Sequence, residues 1–537
     1  MSIRDPWDDA RAAGWQVADC AQFGAARRYE ADVAIVGTGA GGGVSAEILA
    51  RAGLEVILVE EGPLATSRRF TMEEARAYPE LYQESAARKT RDKAINILQG
   101  RCVGGSTTVN WTSSFRTPPA TLEFWRRSFG AGELTDEALA PWFAAVERRL
   151  SIRPWDLAPN ANNAAFARGA SALGIPVAVI SRNVEGCWNL GYCGMGCPTN
   201  AKRSMLVTTL PAALARGARL LTRLRAQRLA IRGGWVRSLE CRAMDAGGIQ
   251  AGGAAVTIVA RHYVLAAGAL GSPALLLRSR APDPNGVLGR RTFLHPTVIA
   301  AAKMPERVAG WAGAPQTVYS DHFLEENPID GALGFKLEVP PLHPVLVSTT
   351  LQGMGGAHAA LMGDLPHTHV LLALMRDGFH PQDAGGTVGL REDGSPQLDY
   401  PLHAPFWEAA RRAFLAMARI QFAAGALRVL PVHEHCGGYA NWEEARSGIG
   451  SLALEPLLTR VVSAHVMGGC GLSGDAGQGV VRPDGRHHQL ANCSVFDGSV
   501  FPTSVGANPQ LSIYALAARN ASALAESLSG RAAPALA

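Results

Sequence analysis

Apolar positions fall into two patterns along the chain. Residues 31–62, ADVAIVGTGAGGGVSAEILARAGLEVILVEEG, open with a continuous apolar run at 33–36, pass through a glycine turn into helical spacing, and end on a second run at 56–59. Short apolar runs bounded by turn residues suit strands buried on both faces, so the segment predicts a strand, a helix and a parallel strand. The pattern returns at 260–268, ARHYVLAAG, followed by ALGSPALLLRSR, whose Leu275, Leu276 and Leu277 suit a buried helix face. One doubly wound sheet is therefore expected from separated parts of the chain. Between them lie a Pro- and Trp-bearing stretch at 116–159 and a glycine and cysteine loop at 186–198. After Pro296 the alternation fades, and GGTVGL at 385–390 reads as antiparallel strand and turn. A second unit of α+β type on an antiparallel sheet is expected in these insertions.

Inside the first unit Gly37, Gly39 and Gly42 form GxGxxG at the strand-to-helix junction, where helix N–H groups and the helix dipole favour a pyrophosphate. Gly37 permits the tight turn, Gly39 lets backbone approach phosphate, and Gly42 lets helix and strand pack closely. Glu60, 18 residues beyond Gly42 at the end of the second strand, is placed to accept from ribose hydroxyls. Nicotinamide and flavin dinucleotides present the same ADP to such a corner, so the motif alone leaves both open.

At 537 residues the chain is long enough for two or three domains. With 47% hydrophobic and 18% charged residues it buries a large core. The formal net charge is +5 with no long basic run, which excludes nucleic-acid binding and favours a small or neutral partner. The opening MSIRDPWDDARAAGW lacks the apolar core of a secretory signal, and later apolar runs are interrupted before the ~18–20 residues that span a bilayer. No transmembrane segment is expected, while peripheral membrane contact stays open. Nine irregularly spaced cysteines fit a reducing compartment, and a cytoplasmic location is expected.

Three further blocks carry a resemblance. GRCVGGSTTVN at 100–110, SAHVMGG around His465, and NCSVFDGSVFPTSVGANP at 492–509 follow the first unit in an order and spacing that resembles the glucose-methanol-choline oxidoreductases over residues 32–524. CGMGCP followed by AKRS, together with SAHVMGG, is most similar to the bacterial branch that includes long-chain alcohol oxidases and related flavin dehydrogenases. The resemblance implies a Rossmann-like FAD-binding domain built from residues 30–115, 205–295 and 461–526. An insertion at 116–204 and a substrate-binding domain at 296–460 complete the expected plan. In the 100–110 block Gly104 and Gly105 permit close backbone approach, while Ser106, Thr107 and Asn110 offer neutral hydrogen-bonding groups suited to a flavin rim. Val109 stands where some family members attach FAD through a histidine, which implies noncovalent FAD.

By the same resemblance His465 and Asn508 form the catalytic pair. Alcohol oxidation requires loss of the hydroxyl proton and of a hydride to flavin N5; a histidine with a pKa near ~6.5 can take that proton, and Asn508 can orient the hydroxyl. Asp497 and Pro509 resemble the flavin-contacting segment, and a helix beginning at 511–518 points its N-terminus at reduced flavin. His295 in FLHP reads as structural at a domain junction. The family's Cys-Arg-Met-Gly run is replaced by Cys470, Gly471, Leu472 and Ser473, without the arginine.

The implied function is oxidation of an apolar alcohol to an aldehyde or ketone, with oxygen, a quinone or a cytochrome as electron acceptor. A flavin-containing lyase and an electron-transfer subunit are the alternatives. Cys187, Cys193 and Cys197, spaced C-x5-C-x3-C-P, have the spacing of an iron–sulfur loop, but a glycine-rich structural loop, or a thiol pair that can form a disulfide, is the favoured reading. His433, His435 and Cys436 in HEHC, and the pair His487 and His488, lack a second set of zinc spacing, so no catalytic metal is expected.

Overall fold

In the computed structural model of the protein, which describes residues 3–10, 12–532 and 536, most strands are shared between two eight-stranded sheets. The first runs in the order Gln16–Asp19, Arg219–Thr222, Val56–Val59, Arg27–Val36, Ala255–Leu265, Trp235–Ala243, Leu224–Arg232, with Cys493–Val495 also on Ala255–Leu265. Its centre is parallel: Val33 to Val36 face Val56 to Val59 on one side and His262 to Leu265 on the other. Helix Ala40–Arg51 covers this centre and itself packs against helix Gln510–Ser529. Cover on both faces is what makes these strands uniformly apolar.

The second sheet orders Ile95–Ile97, Val461–Ser463, Thr297–Lys303, Thr368–Met375, Phe335–Glu338, Val318–Ser320 and Ala178–Val179, with Arg428–Pro431 also on Thr297–Lys303. It is antiparallel apart from the pairing of Val461–Ser463 with Ile95–Ile97. Period-two alternation divides its faces. Val298, Ala300, Leu371 and Ala373 turn toward the twenty-residue helix Ala404–Ala423 and its Phe414 and Met417. Ile299, Val370, Leu372 and Leu374 turn the other way and line a cavity between the sheets.

The elements do not follow the expected domain limits throughout. Gln16–Asp19 extends the first sheet ahead of residue 30, while Ile95–Ile97 and Val461–Ser463, inside segments assigned to the FAD-binding domain, belong to the second sheet. Strands of three or four residues hold too few positions to show a period. The strand expected at 385–390 is Thr387–Leu390, which pairs with Pro396–Asp399 as a separate hairpin. Among the described residues no helix is long and apolar enough to cross a membrane.

Candidate active site

A cavity of about 1230 Å³ lies between the sheets, above the ~300–1,000 Å³ typical of a site for one drug-sized ligand. Residues 37–41, Glu60, Glu61 and Arg225 line one end. His465 and Asn508 line the other, together with the apolar side chains of the second sheet and of helix Pro344–Thr350.

The glycine turn is built by close approaches. Gly37 has a φ of 99°, and a Cβ there would lie 2.3 Å from Ala266 O; one at Gly42 would lie 2.0 Å from Gly37 O. A Cβ at Gly39 would meet nothing nearer than Gly105 Cα at 3.8 Å, so that position opens onto the cavity. Helix Ala40–Arg51 begins there with no side-chain cap, leaving its first N–H groups for a ligand. Gly41, outside the motif, is tighter still: a Cβ would lie 1.5 Å from Phe496 O. The sequence reading missed this residue because the constraint comes from a segment more than four hundred positions away.

Glu60 clamps the turn. Its Oε2 accepts from Thr38 N at 3.2 Å and Thr38 Oγ1 at 2.5 Å, and its Oε1 accepts from Gly62 N at 2.9 Å. Burial raises its pKa, while the bonds from Thr38 and Gly62 oppose that shift. Thr38 Oγ1 also accepts from Gly104 N at 3.0 Å, tying the first glycine motif to the second. Gly104 and Gly105 have φ of 88° and 54°, and a Cβ on Gly105 would reach Gly39 Cα at 2.8 Å. Ser106 Oγ closes its own loop by accepting from Gly100 N at 2.9 Å. Asn110 donates to Gln510 Oε1 at 2.7 Å, and its carbonyl accepts from the buried Lys202 Nζ at 2.8 Å. Val109 and Thr107 line the cavity.

Asp497 plays the same part just beyond strand Cys493–Val495, at the same carboxyl end of the parallel strands. Its two oxygens accept from Gly268 N, Ser272 Oγ, Ser499 N and Ser499 Oγ at 2.5–2.8 Å. Pro509 precedes helix Gln510–Ser529, whose N-terminus has no side-chain cap and meets the cavity through Asn508, Pro509 and Gln510. An open anion-binding turn, a buried acidic residue and a second uncapped helix N-terminus along one cavity fit a dinucleotide with a flavin at its inner end.

The catalytic candidates meet at that inner end. His465 is buried, and burial with the nearby Lys336 charge holds its pKa down at about 4, so it is neutral at neutral pH. Its Nδ1 lies 3.2 Å from Nδ1 of His295, with the rings nearly perpendicular. Asn508 donates from Nδ2 to Glu338 Oε2 at 3.3 Å, and Glu338 also accepts from Gln316 Nε2 at 2.6 Å. Glu338 ends strand Phe335–Glu338 without a motif, which is why pattern reading passes over it. His295, read from sequence as structural, touches the catalytic candidate directly.

The remaining signals lie elsewhere. Cys187, Cys193 and Cys197 are free thiols; Cys193 Sγ accepts from Arg182 at 3.7 Å and Cys187 Sγ from Asn189 N at 3.4 Å. No group of three His, Cys, Asp or Glu side chains among the described residues is arranged to hold a metal ion. Where the family's arginine is missing, main chain holds the segment: Cys470 N and Leu472 N donate to Ser499 O and Val500 O at 2.9 and 2.7 Å.

Comparison with known proteins places this arrangement. The GMC oxidoreductase model matches residues 78–297 in its N-terminal part and 381–517 in its C-terminal part. The chain belongs to the GMC oxidoreductase family. This GMC oxidoreductase is 30% identical over 495 residues to an uncharacterised GMC-type oxidoreductase of Mycobacterium tuberculosis, covering 91% of this chain and 74% of the relative. It is 27% identical to a long-chain-alcohol oxidase of Arabidopsis thaliana, covering 91% and 68% of the two chains. Among solved structures, pyridoxine 4-oxidase of Mesorbium loti shares the fold with a TM-score of 0.66 at 20% identity, covering 91% of this chain and 98% of that one. Formate oxidase of Aspergillus oryzae RIB40, whose FAD modification has been studied, matches at a TM-score of 0.67 and 16% identity over 94% and 99%.

Proposed function

We propose that this GMC oxidoreductase binds FAD noncovalently in the inter-sheet cavity and oxidises the CH–OH group of an apolar alcohol to a carbonyl. The observation that carries the reading is the convergence of His465 and Asn508 on a chamber walled by Ile299, Val347, Leu351, Val370, Leu372 and Val462. FAD supplies the hydride acceptor when bound. Glycines 37 and 39 and the two uncapped helix ends hold its diphosphate and flavin, and Glu60 keeps an acceptor beside the ribose. Val109 has no nucleophile with which to attach the flavin. His465 and Asn508 hold the hydroxyl, His465 neutral and therefore able to hydrogen-bond without fixing a buried charge. The apolar wall holds the carbon chain and excludes water. Similarity to long-chain-alcohol oxidases supports the same substrate class.

The test is anaerobic titration of the purified flavoprotein with primary alcohols of increasing length, followed by loss of flavin absorbance. Flavin reduction is expected, with kcat/KM rising about fourfold per methylene until the chamber is full. Reduction by polyols but not alkanols overturns the apolar substrate; bound flavin that no alcohol reduces overturns the activity.

A further inference from the structure

The cavity meets solvent in two different settings. At its outer end Glu84, Arg391 and Asp393 line it beside Ile249, which is 77% exposed, and Arg391 donates to Glu84 Oε1 at 3.2 Å. This mouth is charged and belongs to the end that carries the glycine turn, Glu61 and Arg225. Along the chamber the wall is a single layer of helix. In helix Pro344–Thr350 Val345 is exposed and outside the cavity, while Leu346, Val347 and Thr349 line it. Helix Glu74–Leu81 packs against it with Ala75 and Arg76 to solvent and Pro79 on the cavity. The seam between them is uncharged on one side, since residues 339–363 contain no Asp, Glu, Lys or Arg. On the other side Arg76 and Glu80 are paired with Glu73 and Arg69.

One carboxylate joins the two helices. Glu74 is buried, and its Oε2 and Oε1 accept from Val345 N at 2.7 Å and Leu346 N at 2.8 Å, across more than 270 positions of chain. Tyr78 OH, one turn on, donates to Oε1 at 2.7 Å and fixes the carboxylate from its own helix. Backbone on either side of that helix is strained: Met72 has a φ of 60°, and Glu84, Ser85 and Ala86 have 50°, 55° and 64°, the left-handed region that side chains disfavour. Such backbone persists where its surroundings determine it. At the other end of helix Pro344–Thr350, Thr350 O accepts from Arg460 Nε at 3.1 Å, and Arg460 directly precedes strand Val461–Ser463, which leads to His465. The helix is thus pinned at its first turn by Glu74 and at its last by Arg460.

We propose that the seam between helices Glu74–Leu81 and Pro344–Thr350 is the substrate's own entrance, and that Glu74 is the positioning residue that sets its width. This rests on the alcohol-oxidising reading: a dinucleotide seated on the glycine turn fills the charged mouth, and an apolar alcohol is left the uncharged seam. An alkyl chain passing Pro79 and Thr349 strips water from no unpaired charge, whereas at the outer mouth it would strip water from Glu84 and Asp393. Glu74 itself is buried and already held by three donors, so it adds no such cost.

Stopped-flow reduction of the FAD-loaded enzyme by 1-octanol separates entry from chemistry. Thr349→Phe narrows the seam, so the second-order rate constant is expected to fall about tenfold while the limiting rate at saturating alcohol holds; an unchanged second-order constant overturns the entrance. Glu74→Ala removes the latch. Amide exchange in the peptide that covers Val345 and Leu346, read by mass spectrometry, should speed up about tenfold or more, and the preference for 1-octanol over the bulkier cyclohexylmethanol should shrink about threefold or more. Glu74→Gln keeps one acceptor for the two N–H groups and should fall between the parent and Glu74→Ala in both readouts, which a general loosening of the fold would not produce. Parental exchange, or faster exchange with parental selectivity, removes Glu74 from the role. If no alcohol reduces the parent's flavin, the activity reading fails and the entrance is decided by acrylamide, a neutral quencher of flavin fluorescence: quenching should be weaker in Thr349→Phe than in the parent, and equal quenching overturns the entrance.

Discussion

Single residues of this protein work in clamped pairs, and the clamps set what substitution does. Gly41→Ala places a methyl where Phe496 O already sits, so helix Ala40–Arg51 cannot seat on the first sheet. We expect that variant to purify with little or no flavin, read from the ratio of 450 to 280 nm absorbance. Glu60→Gln sets an amide against the Thr38 and Gly62 donors, and one N–H must then face another N–H. Flavin affinity should fall about tenfold, measured by the fluorescence of released cofactor. The close packing at Gly37 and Gly42 was legible because a tight strand-to-helix turn demands it. Gly41, Thr38 and Glu338 were not, because each is defined by a partner distant in sequence: Phe496, Gly104 and Asn508.

At the scale of elements, the second sheet works through its alternation. Ile299 and Leu372 face the chamber, whereas Val298 and Leu371 face the long helix. Ile299→Trp should therefore cut kcat/KM for long alkanols by about tenfold or more and leave short ones little changed, as a chain-length series would show. His369, one strand along, bears on stability. Its Nδ1 meets Asn162 Oδ1 at 2.6 Å, and burial lowers its pKa to about 3. The unfolded chain binds a proton near pH ~6.5 that the folded chain refuses until about pH 3, so this group's stabilising contribution is complete above 6.5 and is lost as pH falls toward 3. Against His369→Gln, the parent's extra stability should shrink by about 1.4 kcal/mol per pH unit below 6.5, measured by denaturant melts; a constant difference contradicts this. Continuous apolar runs beside a glycine turn, such as residues 33–36 and 56–59, showed themselves in the sequence. Short strands such as Ile95–Ile97 take their place from pairing partners, which no local window contains.

Over the whole molecule, the sequence blocks read separately converge on one cavity because the chain crosses repeatedly between the two sheets. The segment around His465 stood out by its motif, and its placement on one cavity with the glycine turn was legible only as an implication of family resemblance. What the motif could not give was the second ring of partners, where His295 and Glu338 face the pair from other elements.

Strand Cys493–Val495 and helix Gln510–Ser529 close the first sheet onto a glycine turn near the other end of the chain. A ribosome therefore makes the glycine turn early and its cover late. While the intervening segments emerge, the parallel centre of the sheet stands open along the edge that Cys493–Val495 will fill and along the helix groove. Such an intermediate exposes apolar surface and an unpaired strand edge until its last segments emerge, the condition that favours aggregation. Cofactor supply enters as a late, stabilising event in manufacture, and flavin starvation should reduce the yield of soluble protein before it reduces specific activity.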